Sequence, residues 1–163
     1  MLTQATILAP HPLWHITYLK TGKCKMKQSM TKKSLTDFLE REFPQVSQSF
    51  NILDISENNF SMSLKITDEH LRPGGTVSGP TMFLLADVTF YLATLNMIGL
   101  KSLTVTTNCS INFLRKPNQK DLISKARILK LGKTLSVGDV LIYSQGINEP
   151  VAHASLTYSI PPN

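Results

Sequence analysis

Asp87 is the residue of this sequence whose surroundings most strongly indicate chemistry. It is the only charged residue between Gly79 and Leu100, in a run of apolar and weakly polar residues. A buried, unpaired carboxylate costs several kcal/mol, which is comparable with the whole stability of a domain. A carboxylate kept there is therefore a candidate for proton transfer or nucleophilic attack. The structural alternative is that Asp87 caps a loop or pairs with a basic side chain in the core.

A second candidate feature is the start of the same apolar run, which reads Gly75-Thr-Val-Ser-Gly-Pro80. Ser78 is a favoured helix N-cap and Pro80 is favoured in the first turn, so a helix is predicted to begin here. Free backbone N–H groups at a helix N-terminus attract negative charge and can hold an oxyanion. Asp87 lies nine residues after Ser78, ~13 Å along a helix axis. We therefore expect the two features to work together only if two subunits meet, and the plain alternative for this segment is a tight turn.

The elements around this helix are predicted to form a sheet that covers it, because a helix that is apolar nearly all round must be buried on nearly all sides. Short links between the four C-terminal strands predict antiparallel pairing. The predicted fold class is α+β: a curved six-stranded antiparallel sheet wrapped around one long central helix, with an extra N-terminal helix. The predicted elements, in order, are a helix capped by Ser34 and ended by Pro44, strands over 46–55 and 60–66, a loop over 67–77, the central helix from Ser78 to about Met97 with Gly99 as its stop, and strands over 103–113, 121–130, 134–145 and 151–160.

Alternation along the strands predicts which side chains share a face. Thr106, Asn108 and Asn112 fall on one face of the strand over 103–113. Asn108 is therefore a candidate to line a cleft beside Thr106. The strand over 134–145 has an apolar face made of Leu135, Val137, Leu141 and Tyr143.

The segment Arg72-Pro-Gly-Gly-Thr-Val-Ser-Gly-Pro-Thr-Met-Phe-Leu-Leu-Ala-Asp-Val88 resembles the signature of PaaI-like hotdog-fold acyl-CoA thioesterases. In that family a loop of the type Asn-Pro-x-Gly-x-x-His-Gly-Gly opens the central helix, and an Ala-Asp or Leu-Asp step follows along it. The resemblance spans about residues 46–160 and implies hydrolysis of an acyl-CoA thioester to a free acid and coenzyme A, with no cofactor. Further segments that carry it are Val105-Thr106, Ile111-Asn-Phe-Leu-Arg-Lys-Pro117, Lys130-Leu-Gly-Lys133 and Val151-Ala-His-Ala-Ser-Leu-Thr-Tyr158.

The resemblance also implies roles for particular residues. Asp87 matches the catalytic acid, which acts as general base or nucleophile from across a dimer interface. Gly79 matches the glycine whose backbone N–H polarises the thioester carbonyl. Thr106 stands where the family often has a Ser or Thr that helps to orient the water. A homodimer joined through edge strands, or a homotetramer, is the oligomer that the family implies.

Three positions depart from the family pattern: Ser78 replaces a His, Pro80 a second Gly, and Arg72 an Asn. Pro80 has no N–H, so Gly79 is expected to be the main oxyanion donor, while the Ser78 hydroxyl remains a candidate donor to the substrate. The departures favour one alternative, a non-catalytic hotdog protein that binds acyl-CoA or an acyl carrier. A hotdog hydratase or dehydratase is less favoured, because those enzymes usually use a His where Ser78 stands.

Coenzyme A carries phosphates, so a basic patch at the mouth of the site is expected. Arg115, Lys116 and Lys133 are the candidates, since they fall at predicted strand ends or turns. The alternative for each is a solvated charge with no ligand. The sequence leaves the acyl group open: short, aromatic and long chains all fit the pattern.

The net charge of +6 belongs to the N-terminal part of the chain. Residues 1–36 hold six lysines and no acid, and the remainder holds eleven basic and eleven acidic residues. The predicted division is a basic extension over 1–32 and a hotdog domain over 33–163, with Met30 as an alternative start. A nucleic-acid-binding module would need its charge clustered on the folded body, so this class is disfavoured.

The remaining signals indicate a reducing compartment, and we expect a cytoplasmic protein. Cys24 and Cys109 have no partner spacing, and neither a metal motif nor a phosphate loop is present in the sequence. No secretory signal pattern is apparent. Residues 81–100 are long enough to cross a membrane, but Asp87 near their middle is costly in lipid. We therefore expect a helix buried in protein and no membrane partner.

Overall fold

The structure, a computed structural model, describes residues 30–56 and 59–162. Most of the predicted basic extension over 1–32, and Cys24, therefore lie outside the described residues. Met30 packs against the core, and its backbone N–H donates to Asn96 Oδ1 over 3.0 Å. The helices are α1 (Lys32–Glu42), α2 (Pro44–Ser47) and α3 (Gly79–Ile98), with one 3-10 turn (Asp68–His70), and the strands are β1 (Phe50–Ile55), β2 (Phe60–Leu64), β3 (Leu71–Arg72), β4 (Thr76–Val77), β5 (Val105–Phe113), β6 (Leu122–Leu131), β7 (Leu135–Ser144) and β8 (Ala152–Ser159).

The main sheet has six antiparallel strands in the order β1-β2-β6-β7-β8-β5, and α3 packs against five of them. The short strands β3 and β4 pair separately, within the segment predicted as a loop. This arrangement confirms the predicted six-stranded sheet around one central helix. Strand β5 pairs with β8 on one side only and forms an edge of the sheet. The backbone N–H and C=O groups on its other side have no strand partner in the described part of the chain.

Helix α3 begins and ends where the sequence predicts. The Ser78 side chain accepts a hydrogen bond from the Thr81 N–H, and Gly99 ends the helix with φ of 88°. Such a positive φ strains any residue with a Cβ, which explains the glycine. Among the described residues, α3 alone is long and apolar enough to cross a membrane, but 67% of its most apolar window is buried by the rest of the fold. It is the core helix of this domain.

The N-terminal helix differs from the prediction in its cap. Thr31, not Ser34, is the N-cap of α1, and its side chain accepts from the Ser34 N–H over 3.1 Å. Ser34 then lies inside the first turn, where its hydroxyl donates to the Thr31 carbonyl. Pro44 does end α1, but it also begins the short helix α2 in place of the start of the predicted strand. Proline is compatible with a first helical turn, which is why both events occur at one residue.

The inner face of β7 combines small residues with aliphatic ones. The buried residues are Ser136, Gly138, Val140, Ile142 and Ser144, whereas Leu135, which is 45% exposed, marks the outer face that the four predicted apolar residues share. The glycine makes room for α3, because a Cβ on Gly138 would collide with the Phe90 ring. Hydroxyl pairs also join helix and sheet, because Thr94 Oγ1 lies 3.0 Å from Ser136 Oγ.

Candidate active site

Asp87 lies in the third turn of α3, half-buried, and faces a cavity of about 270 Å³ between this helix and the edge strand β5. Two hydroxyl groups hold one of its carboxylate oxygens. Thr106 Oγ1 donates to Asp87 Oδ1 over 2.7 Å, and Tyr158 Oη donates to the same atom over 2.6 Å. The Tyr158 hydroxyl also lies 2.9 Å from the Asp87 carbonyl oxygen, so it joins the helix backbone to the carboxylate.

The other carboxylate oxygen, Oδ2, accepts no hydrogen bond from any residue in 30–56 or 59–162, and no basic side chain in those ranges pairs with Asp87. The structural alternative of an internal ion pair in the described part of the chain is therefore wrong. Asp87 lines the cavity with one oxygen fixed and the second unpaired, which is the arrangement that a general base or a nucleophile needs.

Strands β5 and β8 bring the two hydroxyls together. Thr106 and Tyr158 are direct partners across the antiparallel pair, so both side chains point to the same face, toward α3. Tyr158 is 2% exposed, and burial raises the pKa of its hydroxyl well above the usual range, with the Asp87 charge as the second cause. The group therefore stays protonated and remains a donor to the carboxylate.

A β-bulge in β5 decides which side chains join this site. The register shifts between Thr106 and Asn108, which leaves Thr107 as the extra residue. Beyond the bulge, Cys109 pairs with Leu156 on the inner face, while Asn108 pairs with Thr157 on the outer face. The prediction that Asn108 shares a face with Thr106 is therefore wrong, because strict alternation does not cross a bulge. Asn112 lies four residues after Asn108 and so shares its outer face. Its predicted place on the same face as Thr106 is therefore also wrong.

Cys109 lies on the inner face of β5. Burial raises the pKa of its thiol, and the Asp87 charge raises it further. A thiol held in its neutral form is a poor nucleophile. Cys109 is therefore not a second reactive group beside Asp87.

The start of α3 offers one free donor. The backbone N–H of Gly79 has no hydrogen-bond partner among the described residues, and Pro80 beside it has no N–H at all. In contrast, the hydroxyl of Ser78 is engaged: its Oγ lies 2.8 Å from Thr81 Oγ1, which itself donates to the His70 carbonyl. Ser78 must then be the donor in its pair with Thr81. Its proton serves the cap and is not available to a substrate in this arrangement.

Gly79 lines a basic cavity of about 490 Å³. Arg115 and Lys116 line this cavity, so two of the three predicted phosphate-binding cations are brought together with the predicted donor, and Arg72 adds a third positive charge. The Arg115 guanidinium also donates to the Pro150 carbonyl over 2.9 Å, which fixes its position. Three positively charged side chains around one cavity are typical of a site that binds a ligand with several phosphates.

Lys133 lies elsewhere. It lines a separate cavity beside Ile98, at the opposite end of α3 from Gly79. A helix from residue 79 to residue 98 is about 28 Å long, so Lys133 does not share a mouth with Arg72 in one chain. The prediction that grouped it with Arg115 and Lys116 is therefore not borne out within a single subunit.

Sequence reasoning assigned no site role to six residues that line the Asp87 cavity: Phe43, Val88, Tyr91, Thr104, Val105 and Tyr158. Tyr158 carries a signal that was available, since a tyrosine in a predicted core strand needs a partner for its hydroxyl. Phe43 comes from the end of α1, and no local pattern connects it to a site on α3.

Among the described residues no cluster of three or more His, Cys, Asp or Glu side chains is arranged to hold a metal ion.

The thioesterase superfamily model matches residues 74–151, which contain α3, β5 and every lining residue of the basic cavity except Arg72. A protein from Silicibacter sp. TM1040, solved by crystallography and provisionally assigned as a thioesterase, is 48% identical to this chain. The match covers 84% of this chain and 96% of that protein, with a TM-score of 0.78. This chain therefore belongs to the thioesterase superfamily.

Two more distant structures share the fold. One is a hypothetical thioesterase of Streptococcus pneumoniae TIGR4 solved with coenzyme A, which is 24% identical, covers 79% of this chain and 98% of its own, and has a TM-score of 0.68. The other is a Streptococcus mutans UA159 protein bound to acetyl-CoA, which is 24% identical, covers 70% of this chain and 90% of its own, and has a TM-score of 0.63. No curated protein matches this chain.

Proposed function

We propose that this protein hydrolyses acyl-CoA thioesters to a free acid and coenzyme A, within the PaaI-like group of the superfamily. Asp87 acts as the catalytic carboxylate of one subunit, and the Gly79 N–H of the partner subunit polarises the thioester carbonyl. The observation that carries the proposal is the state of Asp87: one oxygen is held by two hydroxyls, the other is free, and no described cation neutralises it.

The proposed reaction begins with a water molecule on Asp87 Oδ2. As the water oxygen attacks the carbonyl carbon, its proton passes to the carboxylate, and the carbonyl π electrons move onto the oxygen. The Gly79 N–H of the partner subunit donates to that oxyanion, and the positive end of the helix adds to the stabilisation. Thr106 and Tyr158 keep the carboxylate oriented through this step and do not themselves transfer a proton.

The tetrahedral intermediate then collapses. The C–S bond breaks, the sulfur takes the bonding electrons, and the proton held by Asp87 goes to the coenzyme A thiolate. A thiolate is a good leaving group, so the site needs only a base and one source of carbonyl polarisation. No cofactor takes part in the proposed reaction.

The proposed site requires self-association. Eight residues of helix separate Gly79 and Asp87 in one chain, about 12 Å along the axis, which is too far for both to act on one carbonyl. Strand β5 supports pairing between subunits, because it is a sheet edge that exposes Val105 at 51% and Phe113 at 53%. A homodimer joined through β5, or a homotetramer built from such dimers, is the assembly that we propose.

The proposed coenzyme A site is the basic cavity beside Gly79. Arg72, Arg115 and Lys116 face it together, and phosphate groups are recognised by such clusters. The acyl end of the substrate points away from this mouth toward the Asp87 of the partner subunit. A cytoplasmic location agrees with a substrate of this kind.

The proposal is tested by Asp87→Asn, which removes the base and keeps an oxygen that can accept from Thr106 and Tyr158. We expect kcat for acyl-CoA hydrolysis to fall about 10²–10⁴-fold, with thiol release followed across a series of chain lengths. Asp54→Asn, a change of an exposed acid on the opposite sheet edge, is the matched control and is expected to leave kcat unchanged. If Asp87→Asn folds and turns over as fast as the native protein, Asp87 is not the catalytic carboxylate.

One observation favours a second candidate, an acyl-CoA or acyl-carrier binding protein without rapid turnover. The Ser78 hydroxyl, which replaces the usual His of the family, is used within the helix cap. The site then has a single oxyanion donor, Gly79. Saturable binding of acyl-CoA by the native protein, with no thiol release, would select this function over hydrolysis.

A further inference from the structure

Two segments that are distant in sequence form the walls of the basic cavity. The turn before α3 supplies Arg72 and Thr76, and the segment that follows β5 supplies Arg115 and Lys116. The three cations are exposed side chains. Long, flexible side chains of this kind are placed chiefly by the backbone that carries them. The relative position of the two walls therefore decides where the positive charges lie.

Two hydrogen bonds join these walls. Thr76 is 4% exposed, and its Oγ1 donates to the Pro117 carbonyl over 3.1 Å, across 41 residues of sequence. In the opposite direction, the Gln119 side-chain amide donates to the Gly75 carbonyl. Pro117 is buried and directly follows Lys116, so the first contact fixes the backbone next to that lysine.

The Thr76 hydroxyl is not needed to close its own turn. The Gly75 N–H donates to the Arg72 carbonyl over 3.0 Å, and the Ser78 N–H donates to the His70 carbonyl over 2.9 Å. These backbone hydrogen bonds form the turn without any side chain. What the Thr76 side chain adds is the contact with the other wall.

The second wall is held on both sides of Lys116. Before Lys116, the Arg115 N–H donates to the Val151 carbonyl over 3.1 Å. After it, the Pro117 carbonyl accepts from Thr76. The Lys116 ammonium itself makes no hydrogen bond or ion pair with any described residue, so it remains available to a ligand.

We propose that Thr76 and Gln119 are positioning residues for coenzyme A. By joining the two walls, they hold Arg115 and Lys116 in place for the phosphates of the substrate, and they take no part in the chemical step. This inference rests on the proposed function, in which the basic cavity is the coenzyme A site. Gln119 does not line that cavity, so it acts on the ligand only through the wall that it holds.

The test compares two thioesters with the same acyl group, hexanoyl-CoA and S-hexanoyl-pantetheine, of which the second lacks the nucleotide and all phosphates. Thr76→Val keeps the shape of the side chain and removes the donor. We expect KM for hexanoyl-CoA to rise about three- to tenfold, the value of one neutral hydrogen bond, with kcat little changed. KM for the pantetheine thioester should stay at the native value, because this substrate has no phosphate for the cations to bind. Thr76→Ser retains the hydroxyl and should restore the native KM.

Two further variants separate positioning from other effects. Gln119 is exposed, so Gln119→Ala leaves the core intact and should raise KM for hexanoyl-CoA in the same selective way. Thr94→Val removes another buried threonine hydroxyl, which pairs with Ser136 and lies about 22 Å further along α3 than Gly79. This control should lower the melting temperature and leave KM for both thioesters unchanged.

The inference is overturned if Thr76→Val or Gln119→Ala raises KM for both thioesters equally, since that result indicates a general distortion of the site. It is also overturned if either variant changes KM for neither thioester. Where the melting curve shows that Thr76→Val does not fold, Gln119→Ala alone decides by the same two outcomes.

Failure of the proposed function is distinguished by binding. If the native protein releases no thiol from either thioester, hydrolysis is refuted, and the dissociation constants of coenzyme A and pantetheine are measured by calorimetry. Selectively weaker binding of coenzyme A in both variants still supports the inference. An unchanged dissociation constant in either variant overturns it, as does a native protein that binds no coenzyme A.

Discussion

A carboxylate positioned by hydroxyl groups differs from one positioned by a cation. Asp87 accepts two short hydrogen bonds on Oδ1, from Thr106 and Tyr158, and pairs with no basic side chain in the described part of the chain. A cation would favour the ionised form but would also occupy the free oxygen and reduce its basicity. Neutral donors fix the geometry and leave Oδ2 available. One oxygen is held in place and the other is free, and this difference is the main reason to assign Asp87 a chemical role.

Tyr158→Phe should slow hydrolysis while the substrate still binds. The change removes one hydrogen bond to a charged group, worth ~1.5–3 kcal/mol, and so frees the carboxylate to rotate. We expect kcat to fall about 10–100-fold with KM little changed. Tyr143→Phe, on the outer sheet face where Lys125 lies 5.0 Å from the ring centroid, is the matched control. Equal loss of kcat in both variants would mean that the Asp87 contact is irrelevant to turnover.

Tyr158→Phe should also change how the free energy of unfolding depends on pH. The pKa of Tyr158 is raised in the folded state, chiefly by burial, above the value of 10.0 expected in the unfolded chain. Above about pH 10 the unfolded chain loses this proton while the folded chain keeps it, so the free energy of unfolding falls as pH rises. Urea unfolding of the native protein and of Tyr158→Phe between pH 8 and pH 11 measures the difference. The native protein should lose stability more steeply, by about 1.4 kcal/mol per pH unit, and parallel curves would contradict the assigned environment of Tyr158.

At the scale of elements, the cavity beside Asp87 is built by parts of the chain that are distant in sequence. Helix α3 supplies the carboxylate, β5 and β8 supply the hydroxyls, and α1 supplies Phe43 at its C-terminal end. Helix α1 is held to the core by Leu35, Phe38 and Leu39, and the Phe38 ring lies 6.2 Å from that of Tyr91. The matched family segment, residues 74–151, does not include α1. The wall made by Phe43 therefore lies outside the segment that the family model matches.

Phe43→Ala should shift the acyl preference toward longer chains. Phe43 is 37% exposed and lines the cavity, so its truncation opens the wall with a small effect on the core. We expect the chain length with the highest kcat/KM to increase by about two to four carbons, since one aromatic ring is replaced by a methyl group. A chain-length series of acyl-CoA substrates gives the measurement. Leu129→Ala, a change of a residue that is 60% exposed on β6, should leave the preference unchanged, and an unchanged optimum in Phe43→Ala would remove Phe43 from the acyl pocket.

Local patterns in the sequence were enough for the central helix and the strands. The cap at Ser78, the stop at Gly99 and the six-stranded sheet all follow from propensity and periodicity, which act over a few residues. The bulge at Thr107 could not be predicted in this way. An extra residue in a strand is recognised only when its pairing with the partner strand is known. The consequence for function is direct: without the bulge, Asn108 would appear to share the site and Cys109 would not. Tyr158 was missed for a related reason, since its partner lies 71 residues away in sequence.

For the whole molecule, the decisive question is whether one chain contains a complete site. The described fold places the carboxylate and the free N–H of Gly79 on one helix, two turns apart, facing different cavities. Arg72, Arg115 and Lys116 belong with Gly79, whereas Thr106 and Tyr158 belong with Asp87. Each subunit thus carries both halves, and in the function that we propose a substrate uses them across an interface. A two-fold symmetric dimer would then hold two equivalent composite sites.

Mixed dimers test this division. Asp87→Asn removes the base, and Gly79→Val places a branched side chain beside the donor, where even a Cβ would lie 3.1 Å from Phe113 Cζ. Each variant alone should be nearly inactive. A mixed dimer purified through two different tags contains one site with both changes and one site with neither, so we expect about half of native activity per dimer. A complete site within one chain would instead leave the mixed dimers as inactive as their parents, because neither chain then holds both groups intact.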